Sequence, residues 1–150
     1  MIALFMRAGL RVFVLAALLA SANAYAQTPE AGLPTHEWTA IKRVIETQLS
    51  ALKRGDGRSA FAFATKGLRE QFGDSEKFMQ MVRAGYQPLI DARYSEFLEG
   101  AVIDGKTIQP LRLVMHDNTV LVALYYMEKE DEGRWHIAGC MLAPSTVRAA

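Results

Sequence analysis

Residues 111–142, "LRLVMHDNTVLVALYYMEKEDEGRWHIAGCML", carry apolar side chains at a period of two around two turn signals, Asp117-Asn118 and Glu130-Asp131-Glu132-Gly133. That period belongs to strands, and Asp, Asn and Gly tolerate the positive φ of a tight hairpin. Two successive hairpins are therefore predicted. A two-residue loop at Asp117-Asn118 sets Met115 opposite Val120, Leu113 opposite Val122 and Leu111 opposite Leu124. A four-residue loop at Glu130–Gly133 sets Trp135 opposite Glu128, Ile137 opposite Tyr126, Gly139 opposite Leu124 and Met141 opposite Val122. Both loops put the same residues of the shared strand on one face, the consistency a register requires.

Working outward, the period of two continues back to Arg93, with a further turn at Asp104-Gly105. Four strands follow, approximately 93–103, 106–116, 119–129 and 134–142, as an antiparallel meander. The helix-facing side is expected to hold Leu98, Leu111, Leu113, Val120, Val122, Leu124, Trp135, Ile137 and Met141. Phe97, Val114, Leu121, Tyr125, Ala138 and Leu142 then lie opposite, and a solvated face should be more polar than that. A homodimer through Phe97, Val114, Leu121, Tyr125 and Leu142 is the expectation.

Upstream of Asp91 the period is helical. Trp38, Ile41, Ile45, Leu49 and Leu52 share one face, with Thr35 placed as N-cap, Lys53 and Arg54 in the last turn and Gly55 at the end. Asp56 stands where the next helix needs a cap. Arg54-Gly55-Asp56 thus reads as the joint between two helices, not as an adhesion tripeptide. Ala60, Ala62 and Ala64 alternate with Phe61 and Phe63 and favour helix over strand. Leu68–Phe72 makes a short turn closed by Gly73; Asp74 or Ser75 caps a helix with Phe78, Met81, Val82 and Gly85 on one face, and Pro88 stops it.

At the N-terminus, Arg7 and Arg11 precede the apolar run Val12–Ala20, and Ala24-Tyr25-Ala26 offers small residues at a cleavage site. Residues 1–26 read as a signal peptide cleaved after Ala26, because the apolar stretch is shorter than the ~20 residues that span a bilayer. A flexible leader at 27–36, a single α+β domain at 37–143 and a tail at 144–150 complete the chain, which is expected to be periplasmic or secreted with no stable membrane anchor after cleavage. Loss of residues 1–26 moves the formal charge from +1 to −1. That balance, without a basic run, argues against nucleic acid. The single Cys140 excludes an intramolecular disulfide and reads as a small buried residue.

Helices followed by a meander ending in "EGRWHIAGC" resemble the nuclear-transport-factor-2-like fold (NTF2-like, cystatin-like in outline), in which helices pack into a curved sheet and form a cone with a pocket. Within it, "AFAFATKGLREQFG", "FMQMVRAGYQPL" and "ALYYMEKEDEGRWHIAGCMLA" look like the uncharacterised bacterial family of domain of unknown function 4864, over roughly residues 38–142. The resemblance implies fold and pocket. It transfers no catalytic residue, since the family has none established, and the short strand that many members of the fold place between the helices is not found.

Projected through the register, Tyr94, Glu96, Gln109, Tyr126 and Glu128 point into the cone, with Trp135 beside the last two. Glu96, Glu128, Tyr94 and Tyr126 are the candidate catalytic residues: a carboxylate in an apolar cone has a raised pKa and acts as a general base in isomerase or hydratase chemistry. The plainer reading has the carboxylates reach water at strand ends and leaves the tyrosines as core aromatics. Phe61, Phe63, Tyr94, Gln109, Tyr126 and Trp135 are the candidate ligand-binding residues, Phe61 and Phe63 diverging by about 200° around a helix. No metal is expected, since His116 and His136 stand roughly 26 Å apart along the sheet and His36 precedes the first helix. No cofactor is expected either, because no phosphate-cradling glycine pattern or nucleophile triad occurs. The expectation is a non-catalytic module for a small apolar ligand or a periplasmic protein; the alternative is the cone-pocket enzyme.

Overall fold

Pro34 leads into the first helix. Its φ of −60° and ψ of 149° place it at the N-cap of α1 (Thr35–Lys53), where its carbonyl accepts from the Glu37 amide at 3.0 Å. Thr35, expected as the cap, is the first helical residue instead, because proline's fixed φ already sets the entry geometry. The computed structural model describes residues 32–145; the expected signal peptide, the first half of the leader and the last five residues lie outside the described residues.

The apolar stripe of α1 is buried as its spacing predicts. Gly55, at φ 70°, ends the helix, and the Asp56 carboxylate accepts from the Ser59 amide at 3.1 Å to cap α2 (Gly57–Ala62). The tripeptide is a joint between helices. Phe63 closes α2, and the chain then meets the sheet: the Ile137 amide donates to Phe63 O at 2.8 Å and the Thr65 amide donates to Ile137 O at 2.9 Å. This parallel bridge at Ala64 is the inter-helix strand contact that the sequence did not reveal. Thr65 then caps α3 (Lys66–Phe72), Asp74 caps α4 (Ser75–Gly85), and Pro88 occupies the first turn of a short α5 (Pro88–Asp91).

The sheet is antiparallel, formed by β1 (Tyr94–Phe97), β2 (Ala101–Ile103), β3 (Lys106–Val114), β4 (Val120–Lys129) and β5 (Trp135–Pro144), in the order β1-β3-β4-β5 with β2 also on β3. The single first strand expected from the sequence is broken at Gly100. A Cβ there would stand 2.4 Å from the Trp38 ring, so the fully buried indole lies directly on the backbone.

Both later hairpins use one loop geometry. Met115 N donates to Thr119 O, Asn118 N donates to Met115 O, and Asn118 has φ 65°. Likewise Glu130 N donates to Arg134 O, Gly133 N donates to Glu130 O, and Gly133 has φ 76°. Each is a three-residue loop, a tight turn followed by a left-handed residue. The expected two- and four-residue loops are each wrong by one residue, so Leu113 faces Leu121 and Lys129 faces Trp135. Because β4 belongs to both hairpins, β4 turns over: Leu121, Ala123, Tyr125 and Met127 join the helix side, and Val122, Leu124, Tyr126 and Glu128 leave it; β1 is turned over as well, with Phe97 on the helix side and Glu96 beside Arg112 on the other. A bulge follows, with Tyr126 opposite Gly139 and Met127 opposite Ile137, so Ala138 is the extra residue. It re-aims β5 and brings Cys140 and Leu142, not Met141, to the helix side.

The face expected to dimerise changes accordingly. Phe97, Leu121 and Leu142 pack against the core and Tyr125 lies within it, leaving Val114 on the outer side. The outer face is apolar through other residues, chiefly Ile108, Pro110, Val122, Leu124, Tyr126 and Met141, crossed by an Arg112–Glu96 ion pair at 2.6 Å. Among the described residues no helix is long and apolar enough to cross a membrane.

Candidate functional site

The inward side chains of β4 and β5 meet the apolar stripes of the helices, but they do not fill the space between them. A cavity of about 290 Å³ remains, walled by Gln48 and Leu52 of α1, Leu68 and Phe72 of α3, Phe78, Met81 and Val82 of α4, Tyr86, Leu89, and Tyr125, Ile137, Gly139 and Cys140 of the sheet. Two local features leave it open. The bulge at Ala138 is followed by Gly139, which offers no side chain, and α3 spans the gap without burying any residue. Half-buried Leu68, Phe72, Met81 and Tyr86 mark the mouth.

Four polar groups interrupt the apolar wall. Gln48 Nε2 donates to Ala60 O at 3.3 Å, and the Tyr86 hydroxyl donates to Cys140 O at 2.8 Å. The Tyr125 hydroxyl is buried without a partner, on a ring that is wholly inaccessible. A buried hydroxyl left unpaired costs about 1–3 kcal/mol. Burial pushes the Tyr125 phenol well above its ordinary range and raises Tyr86, each with a smaller push from nearby Cys140. Burial also raises the Cys140 thiol to about 12. The wall contains no carboxylate, imidazole or amine, so all its ionisable groups are neutral at pH 7.

The sequence-derived candidates fall elsewhere. Tyr94 and Glu96 stand on the outer face, where Tyr94 is 51% exposed and its hydroxyl donates to Glu96 at 3.1 Å. Tyr126 is half-buried on the same face, and Glu128 is exposed towards the end of β4. None of these four points towards the helices, because β1 and β4 present their other sides to them. Gln109 does point inward. It is fully buried, donates to Leu98 O at 2.8 Å and Pro110 O at 3.0 Å, keeps an unpartnered Oε1, and lies outside the cavity wall. Phe61 stacks on Phe78 with centroids 5.3 Å apart, behind the wall.

Phe63 and Trp135 come together in a second, more polar cleft of about 530 Å³ with Glu37, Arg43 and Arg134. Here Glu37 accepts from Lys129 Nζ and from Trp135 Nε1, both at 2.5 Å. The Lys129 hydrogen bond first, and then that from Trp135, hold the Glu37 carboxyl below its usual range. Glu130, Glu132 and His136 bring potential ligand atoms within 4.8 Å of one another. Glu130 Oε1 accepts from the Lys66 amide at 2.6 Å, and His136 Nδ1 lies 3.1 Å from Arg134 O, so the group fastens the β4–β5 loop to the start of α3. Two loop carboxylates, not a second histidine, complete this group.

Sequence reasoning also missed Gln48, Tyr86, Tyr125 and Cys140 as cavity residues. One signal was present: Gln48 falls between Ile45 and Leu52 on the buried stripe of α1, where a polar residue calls for an explanation. A family model described as "Domain of unknown function (DUF4864)" matches residues 34–150. No curated protein and no solved structure matches the chain.

Proposed function

We propose that this chain, which belongs to the family described as domain of unknown function 4864, is an exported, non-catalytic module that binds a small apolar molecule in the cavity between its helices and its sheet. The observation that carries the reading is the composition of the wall: aliphatic and aromatic, with a few polar groups and nothing that exchanges a proton near neutral pH. Ligand sites are commonly concave and apolar with a small number of placed polar atoms. On the scale at which an apolar cavity of ~150 Å³ takes benzene, this one accommodates about twelve non-hydrogen atoms. Export rests on residues 1–26, with two arginines, an apolar run and a small-residue cleavage site.

The enzymatic alternative needs an inward carboxylate as general base. Glu96 is paired with Arg112 on the outer face and Glu128 is exposed, which favours binding over catalysis. Titration with naphthalene, followed by methyl signals of the protein, tests the reading. Leu52, Val82 and Leu89 are expected to shift together and saturate; unmoved methyls at the solubility limit would sink it.

A further inference from the structure

We infer that the ligand is uncharged and donates one hydrogen bond, from an O–H or N–H group, to the side-chain carbonyl of Gln48. The inference deepens the cavity reading and rests on it. Gln48 stands on the apolar stripe of α1, is only 4% exposed, and lines the cavity. Its Nε2 donates to Ala60 O at 3.3 Å, which orients the amide and leaves Oε1 as the uncommitted atom. That oxygen has no partner among the described residues, yet it is not sealed off as the Tyr125 hydroxyl and Gln109 Oε1 are. Ala60 O does not account for the glutamine, because it also accepts from the Phe63 amide at 3.4 Å. Buried polar groups nearly always have partners, and an open acceptor in the wall of a cavity finds its partner in what the cavity holds. The other polar groups of the wall do not compete for this role: the Tyr86 hydroxyl is committed to Cys140 O, and the Tyr125 hydroxyl is out of reach. A charged ligand is disfavoured because no Lys, Arg, His, Asp or Glu lines the cavity to offset its desolvation. Phenols, alcohols and N–H heterocycles of about twelve non-hydrogen atoms fit both the room and the acceptor.

The test compares 2-naphthol with 2-methoxynaphthalene, in which a methyl group replaces the donor proton, on the intact protein and on Gln48→Met. The variant keeps the length of the side chain without its amide, and Ala60 O retains the Phe63 amide. Calorimetric titration is expected to show 2-naphthol binding about tenfold more weakly to Gln48→Met, as befits the loss of one buried hydrogen bond, with the ether unchanged. A loss for 2-naphthol no greater than that for the ether overturns the role of Gln48 and leaves the cavity reading standing. Binding of neither probe to the intact protein overturns both. A second measurement does not depend on the variant: in the intact protein the Gln48 Cδ resonance is expected to move downfield with 2-naphthol and not with the ether, and equal movement overturns the hydrogen bond. 2-Naphthoate should fail to displace bound 2-naphthol, and displacement by that anion overturns the requirement for a neutral ligand.

Discussion

Trp135 donates its indole N–H to the Glu37 carboxylate, and Lys129 donates to the other oxygen of the same group. The first turn of α1 is thereby tied to both strands of the last hairpin. Its contribution depends on pH with a definite sign. The folded Glu37 carboxyl lies below its ordinary value of 4.5, so the stabilisation is fully present above that value and is lost as pH falls through the lower, folded one. Glu37→Gln is expected to melt at a lower temperature than the unaltered protein at pH 7, with the gap closing below pH 4.5. Calorimetric melting across pH 3–7 measures it, and a gap that stays constant contradicts the account.

The unpaired hydroxyl of Tyr125 carries a cost in the empty protein. Its removal in Tyr125→Phe keeps the ring and its packing, so the variant is expected to gain about 1 kcal/mol. Urea unfolding reads this directly. A comparable loss would mean that the hydroxyl has a partner in solution.

Two glycines make opposite predictions. At Gly100 a Cβ would strike the buried Trp38 ring at 2.4 Å, so Gly100→Ala must displace the centre of the core and should cost about 1–3 kcal/mol. At Gly67, in α3, a Cβ meets nothing within 4 Å. Gly67→Ala should stabilise by about 0.5 kcal/mol through helix propensity. Melting temperatures of the two variants are expected to move in opposite directions.

Asn118 holds the three-residue loop of the β3–β4 hairpin at φ 65°. A β-branched residue is poorly suited to that conformation, whereas glycine adopts it freely. Asn118→Val should cost about 1–2 kcal/mol, and Asn118→Gly should be close to neutral. If the loop instead had two residues, Asn118 would lie in a different turn, and the contrast between Val and Gly would also appear at Asp117.

These loops explain how far the sequence could be read. The helices were legible because α1 and α4 carry wide apolar stripes and because Asp56 and Asp74 sit at caps that local chemistry dictates. The strands were legible as a meander for the same local reason. Their faces were not. Val120, Val122 and Leu124 are as apolar as Leu121, Ala123 and Tyr125, so the pattern of β4 does not say which side is inward. Agreement between the two hairpins could not expose the error, since both assumed loops displaced the same strand. The bulge at Ala138 depends on tertiary pairing and leaves no local mark. The cavity residues Tyr125 and Cys140 became visible only once β4 and β5 were correctly turned.

Filling the cavity should separate ligand binding from folding. Val82 is buried in α4 and lines the wall, and Val82→Phe projects a ring into space that is otherwise empty. Added core volume is destabilising where packing is already dense, but here a void receives it. The variant should therefore melt within a few degrees of the unaltered protein. The unaltered protein with a neutral probe such as 2-methoxynaphthalene at ten times its Kd gains about 1.4 kcal/mol. For a domain of this size that raises Tm by roughly 5 °C. Val82→Phe should show no such rise, because the ring occupies the ligand's place. A rise of equal size in both proteins would put the probe outside this cavity, while a rise in the unaltered protein alone ties binding to the space enclosed by Val82, Leu89 and Tyr125.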